Sequence, residues 1–163
     1  MKLLVCGGAG FIGSAFVRVR LAEHGDEVIV LDKLTYAGRR ENLDGLDVPL
    51  IEAGIEDAAA VARAMDGVDA VVNFAAETHV DRSIAEPDAF VTTHAVGTWV
   101  LLEEARRRGV RYVQISTDEV YGPSRRAPSA NRARWRPPPP TARPRPAPTS
   151  WSPPTSTPTG WRP

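Results

Sequence analysis

The chain is poor in cysteine and histidine, which limits the metal and disulfide chemistry open to it. Cys6 is the only cysteine among 163 residues, so an internal disulfide and a cysteine-rich zinc site are both excluded. Cys6 lies in an apolar run, which indicates a buried, inert thiol. The three histidines, His24, His79 and His94, lack the spacing of metal ligands. We therefore expect no metal site.

Long hydrophobic runs are also missing. The amino-terminal stretch MKLLVC is interrupted at Gly7, too early for a signal peptide or a membrane span. We therefore expect a cytoplasmic protein.

Residues 123–163 contain no lysine, no tyrosine and no acidic residue. They carry eight arginines and 13 of the 15 prolines, whereas residues 1–122 carry 12 basic and 20 acidic residues. The net charge of zero is therefore an average over two unlike regions. We place a boundary at Gly122, with a folded domain over 1–122 and a Pro/Arg-rich tail over 123–163. The tail has too few aliphatic residues to offset chain entropy, so we expect it to be disordered.

Apolar runs alternate with helical patterns in the first 122 residues. The runs at 2–6, 27–32, 70–76 and 112–117 are rich in Val, Ile and Leu, as in parallel strands covered on both faces. Apolar spacings of three and four predict helices over 11–25, 56–67 and 88–109, the last ending in three arginines before Gly109. The alternation predicts an α/β fold, a truncated Rossmann-type doubly wound parallel sheet.

A glycine-rich turn joins the first strand to the first helix. Gly7, Gly10 and Gly13 would let backbone N–H groups approach a pyrophosphate at the helix N-terminus, although a tight structural turn would also use glycine. Asp32 follows at the end of the second strand, where a carboxylate would bind the adenosine ribose hydroxyls. Because Asp32 would repel a 2′-phosphate, the pattern favours NAD; Lys33 beside it argues the other way.

Three further stretches carry a family resemblance. LDKLTYAG (31–38), FAAETHVDRSI (74–84) and STDEVYG (116–122) follow predicted strands. Together with the glycine spacing, they resemble the nucleotide-sugar 4,6-dehydratases of the extended short-chain dehydrogenase/reductase family. The resemblance implies a homodimeric, NAD-dependent lyase of deoxysugar biosynthesis, with dTDP-glucose as the substrate. It would oxidise the sugar at C4, eliminate water across C5 and C6, and return the hydride to C6.

The resemblance also implies site residues. Thr78 and Thr117 would contact the sugar. The residues expected to line the cofactor, besides the three glycines and Asp32, are Phe11, Ile12, Lys33, Leu34, Thr35, Ile55, Ala75, Ala76, Glu77 and Thr93. Phe11 and Ile12 could equally be core residues of the first helix, and we expect both roles. The family has an aspartate near the adenine where this chain has Gly54, and an asparagine where it has His94.

For catalysis the resemblance assigns Asp118 as the acid, Glu119 as the base and Thr117 as a hydrogen-bond donor near the C4 oxygen. Neighbours in a regular strand face opposite sides, so the backbone must leave strand geometry at Asp118 for both acids to reach one sugar. Two close carboxylates would push their pKa values apart, leaving one protonated and one ionised. Without the resemblance, two acids after a strand would suggest only a cap for the next element.

The tail lacks the Tyr-x-x-x-Lys pair that these dehydrogenases use to take the C4 hydroxyl proton. A one-base shift of the reading frame would let WRPPPPTARPRP (135–146) encode a tyrosine in the register of Thr141 and a lysine in that of Arg145. We therefore interpret the tail as the product of a frameshift near residue 123, which would leave the dehydratase inactive.

Other interpretations of the chain remain. It could be a related sugar epimerase or decarboxylase fragment, or a non-catalytic NAD-binding or interaction protein. In the last case, the tail would be a basic polyproline arm for an SH3-like partner or nucleic acid. Such an arm would partly bind its own acidic domain, which makes nucleic acid the weaker interpretation.

Overall fold

In the computed structural model, which describes residues 1–78 and 87–117, five parallel strands form one sheet. They are β1 (Lys2–Cys6), β2 (Glu27–Asp32), β3 (Leu50–Glu52), β4 (Ala70–Asn73) and β5 (Arg111–Gln114). The strand order is β3-β2-β1-β4-β5, and every neighbouring pair is parallel. The order reverses direction between β1 and β4, which creates the crevice at the carboxyl edge where Rossmann folds bind ligands. The predicted Rossmann-type sheet is confirmed.

Helices connect the strands. They are α1 (Phe11–His24), a 3₁₀ helix (Arg40–Leu43), α2 (Ala58–Ala64), and a longer run made of α3 (Pro87–Val91), a π-helical segment (Thr92–Gly97) and α4 (Thr98–Arg108). Backbone angles at Val91, Gly97 and Thr98 are all right-handed helical, so this run is continuous. Gly25 and Gly109 end α1 and α4 in the left-handed conformation, with φ of 61° and 68°.

The sheet is covered on both faces along β1, β2 and β4, as their apolar runs predict, whereas three of the four residues of β5 are exposed. On β1, Leu4 and Cys6 face a cluster that includes α2 and α4, while Leu3 and Val5 face the cluster on the α1 side. Side chains that alternate along this one strand therefore pack into two separate apolar clusters. Burial raises the pKa of the Cys6 thiol, and the charge of Asp32 adds to the effect, which confirms an inert cysteine.

Several element bounds differ from those expected. β4 ends at Asn73 rather than 76 because the Asn73 side chain accepts the Ala75 N–H at 3.0 Å and turns the chain. α2 begins only after Asp57, whose carboxylate accepts N–H groups from Ala59 and Ala60. The sequence did not predict β3, because this strand has only three residues and none of them is fully buried. β5 ends at Gln114, short of the expected 117.

Met1–Ser116 form one compact unit, and Thr117 begins a second. Among the described residues, no helix is long and apolar enough to cross a bilayer. The same residues contain no group of three or more potential metal ligands drawn from His, Cys, Asp and Glu. The tail lies outside the described residues, so its boundary at Gly122 and its disorder stay predictions.

Candidate functional site

Two glycines of the glycine loop, Gly7 and Gly13, pack too closely against the backbone for a side chain. Gly7 has φ of 73°, and its N–H donates to the Leu31 carbonyl at 2.8 Å. A Cβ on Gly7 would lie 2.6 Å from the Ala75 nitrogen, and one on Gly13 would overlap the Gly7 carbonyl oxygen. The loop therefore lies directly between β2 and the segment after β4, and α1 starts against it.

The start of α1 is open to a ligand. Gly10 precedes the helix in an extended conformation, and no side chain caps the first turn. The leading N–H groups of an α-helix have no partner within the helix and favour an anion. Phe11 is 88% exposed and Ile12 is 64% exposed. The expected core role for these two residues is therefore wrong, because they lie on the outer face of α1; their cofactor role stays a prediction.

Asp32 lies beside this loop and holds it in place. Its Oδ2 accepts the Ala9 N–H and its Oδ1 accepts the Leu34 N–H, both at 2.9 Å. The residue is 9% exposed. A Cβ on Gly38 would lie 2.5 Å from Oδ1, so glycine keeps that side of the carboxylate open. Since a carboxylate has about four acceptor sites, Asp32 retains capacity for a ribose hydroxyl.

The loop after β2 brings further predicted residues to this edge. Leu34 has a positive φ of 52°, which turns the chain back toward the α1 face, and its side chain packs against the apolar cluster there. Thr35 is exposed. Lys33 forms an ion pair with Glu56. The Tyr36 hydroxyl accepts the Thr78 N–H at 3.1 Å, so the loops after β2 and β4 meet.

The segment after β4 holds Ala75, Ala76, Glu77 and Thr78. His94 contacts Glu77 through Nε2, which lies 2.9 Å from the Glu77 nitrogen and 3.1 Å from its carbonyl oxygen. In one tautomer Nε2 accepts the N–H, and in the other it donates to the carbonyl. His94 therefore supplies a hydrogen bond at the position where the family resemblance places asparagine.

The π-helical segment carries Thr93 toward the same edge. Thr93 is 8% exposed and Ile55 is 3% exposed. A Cβ on Gly97 would lie 2.5 Å from the Ile55 Cγ1, so the helix approaches Ile55 at a distance that only glycine allows. π-helical turns are frequently found at functional sites.

Asn73 is a positioning residue that the sequence analysis missed. It is fully buried, and its Nδ2 donates to the Tyr112 hydroxyl at 3.2 Å and to Gln114 Oε1 at 3.0 Å. Through its bond to the Ala75 N–H, Asn73 also joins the segment after β4 to β5. The sequence offered one indication of this role. Asn73 follows directly after an apolar run, and a buried amide there needs hydrogen-bond partners.

The expected catalytic residues are only partly described. Thr117 is exposed and begins the second unit, while Asp118 and Glu119 lie outside the described residues. The site assignments therefore stay predictions. What the structure brings together is the glycine loop, Asp32 and Ala75, while Ile55 packs against the helical run at Gly97.

Comparison with known proteins gives consistent matches. The model of the NAD dependent epimerase/dehydratase family matches residues 3–144, past the predicted boundary at Gly122. A dTDP-glucose 4,6-dehydratase from Mycobacterium tuberculosis (strain CDC 1551 / Oshkosh) is 51% identical over 125 residues, which are 75% of this chain and 38% of that protein. The chain thus spans about 38% of the length of this curated relative.

Solved structures agree. DesIV, a dTDP-glucose 4,6-dehydratase from Streptomyces venezuelae solved with NAD and TYD bound, is 52% identical with a TM-score of 0.73, over 78% of this chain and 42% of DesIV. A UDP-glucose 4-epimerase from Thermotoga maritima, solved with UDP-glucose, is 37% identical with a TM-score of 0.70, over 78% of this chain and 41% of the epimerase. The chain belongs to the NAD dependent epimerase/dehydratase family.

Proposed function

We propose that the chain is the amino-terminal, NAD-binding part of a dTDP-glucose 4,6-dehydratase. One observation carries the cofactor assignment: the glycine loop and the uncapped start of α1 lie beside Asp32 at the carboxyl edge of the sheet. Gly7 and Gly13 let the loop backbone pack tightly at the start of α1, where the unpaired N–H groups can face a pyrophosphate. The residues present therefore fit a dinucleotide.

In this proposal the loop and α1 bind the pyrophosphate, and Asp32 accepts hydroxyls of the adenosine ribose. Phe11 and Ile12 cover the cofactor, while Ala75, Ala76, Glu77 and Thr93 line its other side. Bound NAD would take a hydride from the sugar C4 and return it to C6. The new C4 ketone makes the C5 proton acidic. Glu119 would remove that proton, Asp118 would protonate the departing C6 hydroxyl, and Thr117 would donate to the C4 oxygen.

The same proposal predicts that the chain as given does not complete the reaction. After Gly122 it contains neither a tyrosine nor a lysine, so no Tyr-x-x-x-Lys pair can take the C4 hydroxyl proton. The frameshift near residue 123 remains our explanation. The homodimeric state, the cytoplasmic location and the role in deoxysugar synthesis also remain predictions.

Calorimetric titration of the full chain with NAD and NADP tests the cofactor site. We expect NAD to bind more tightly, and Gly13→Ala to abolish binding because its Cβ overlaps the Gly7 carbonyl. Gly45→Ala is the control, since Gly45 lies outside the loop and its φ of 75° strains an alanine without any steric overlap at the Cβ. Equal affinity for the two cofactors would contradict the role of Asp32.

Turnover tests the dehydratase assignment. A chain with the reading frame restored by one base should form the 4-keto-6-deoxy sugar from dTDP-glucose, and Glu119→Gln in that chain should lose the activity. If Glu119→Gln stays fully active, the dehydratase assignment fails. Conversion of UDP-glucose to its C4 epimer would instead assign the chain to the epimerases of the family.

A further inference from the structure

Two basic side chains near Asp32 are each paired with an acid from β3 or the segment after it. Lys33, the residue next to Asp32, forms an ion pair with Glu56. Arg40, in the 3₁₀ helix, forms an ion pair with Glu52 at the end of β3. Both cations lie on the chain segment that follows β2, the strand that ends at Asp32. An unpaired cation at this place would attract a phosphate on the ribose.

The Lys33–Glu56 pair depends on a glycine. A Cβ built on Gly54 would overlap the carboxylate of Glu56, so Glu56 occupies the space that a side chain at position 54 would fill. The helical run also passes close to Glu56, since a Cβ built on Gly97 would lie 3.4 Å from the Glu56 nitrogen. The Glu56 side chain is 22% exposed, whereas that of Lys33 is 52% exposed. The acid is therefore the more fixed partner, and the lysine folds onto it.

We propose that Glu56 is a cofactor-specificity residue that keeps the site selective for NAD over NADP by holding and neutralising Lys33. This inference rests on the proposed NAD site. Asp32 alone repels a 2′-phosphate, but a free ammonium on the next residue would offset that repulsion. Glu56 prevents this in two ways. It neutralises the positive charge of Lys33, and it holds the Lys33 Nζ beside Gly54 instead of beside the ribose. In this chain Glu56 supplies the negative charge that Gly54 lacks.

The experiment measures the NADP-to-NAD ratio of dissociation constants by calorimetry on the full chain at low salt. Glu56→Gln keeps the side-chain size and removes the charge, so NADP affinity should rise about tenfold relative to NAD. Added salt should shrink the gain, because it screens exposed charges. Lys33→Gln combined with Glu56→Gln should return the ratio to its original value.

Two further variants separate this role from a general charge effect. Glu103→Gln removes an acid that pairs with Arg106 within α4 and has no contact with Lys33, and it should leave the ratio unchanged. Gly54→Ala changes no charge but displaces the Glu56 carboxylate, so it should shift the ratio in the same direction as Glu56→Gln. Glu56→Gln keeps the size of the side chain and an oxygen that can still accept from Lys33, so folding should stay intact, which thermal unfolding checks.

The outcomes are distinguishable. If Glu56→Gln still binds NAD but its NADP-to-NAD ratio does not move, the inference is overturned. It is also overturned if Glu103→Gln moves the ratio as far, or if the double variant keeps the gain in NADP affinity. If the original chain binds neither cofactor, the proposed function fails, and the inference fails with it.

Discussion

The two ends of the carboxyl edge differ in how completely they are built. On the β1–β2 side, Leu4, Val5 and Val30 are fully buried, and N–H groups of the glycine loop donate to the Leu31 carbonyl and the Asp32 carboxylate. On the β5 side, Val113 is 48% exposed and Ile115 is 42% exposed. β5 pairs with β4 alone among the described strands.

This difference separates two tasks of a dinucleotide enzyme. Binding of the pyrophosphate and ribose needs only β1, α1 and β2. These elements follow one another in sequence, and the two strands pack against core clusters on both of their faces. Positioning a sugar against the cofactor needs the residues that follow β5, where the predicted acid and base lie. In the proposed function, the described unit would therefore serve the first task and supply only the start of the second.

The largest expected effect follows directly from that contrast. The chain as given should bind NAD within about threefold of the frame-restored chain, because the loop and Asp32 are common to both. Its turnover of dTDP-glucose should be lower by at least about 10²–10⁴-fold, the usual contribution of general acid–base catalysis. Titration and product assays on the two chains check this. Matching turnover would contradict our interpretation of the tail.

A second expected effect concerns Asn73, which joins the two sides. Asn73→Leu removes three hydrogen bonds and leaves the Ala75 N–H and the Tyr112 hydroxyl without this partner. Burying unpaired polar groups should lower the free energy of unfolding by about 2–4 kcal/mol. Denaturant unfolding measures the loss. Asn42→Leu, which removes only the bond to the Ala9 carbonyl, should cost less. An equal cost for both variants would show that Asn73 does not join the two sides.

How much of this could be predicted from sequence depends on the range of the interaction. The glycine loop and the strand–helix alternation are local patterns, and the structure confirms them. The partners of Asn73 lie 39 and 41 residues away, so no spacing rule points to them. The same is true of Glu56, which fills the space at Gly54 only because it turns back to meet Lys33. Pattern alone could not supply either contact.

Phe11 and Ile12 show a different limit. Helical periodicity indicates that a helix has an apolar side, but Phe11 and Ile12 lie on the outer face of the first turn, where Gly13 and Ser14 are the buried residues. An apolar residue there satisfies the core pattern while lying in solvent. Hydrophobicity alone therefore could not tell whether these two side chains are buried.

The smallest expected effect tests how firmly the β5 side is supported by α4. Arg107 and then Arg108 hold the pKa of Glu104 down to about 2, and Arg108 also donates to the Ala62 carbonyl at 2.8 Å, which ties α4 to α2. A carboxylate whose pKa is lower in the folded state stabilises the protein above its unfolded pKa. That contribution is lost as the pH falls from about 4.5 to about 2.

Glu104→Gln should therefore lower the Tm near neutral pH by about 2–4 °C and flatten its acid dependence over that range. Thermal unfolding across pH measures both. Glu103→Gln, which removes a more exposed pair with Arg106, should have a smaller effect. Hydrogen exchange adds the regional test: in Glu104→Gln, amide protection should fall in β5 and stay unchanged in β1. If protection falls equally in both strands, the two sides form one cooperative unit, and the contrast between them does not extend to their stability.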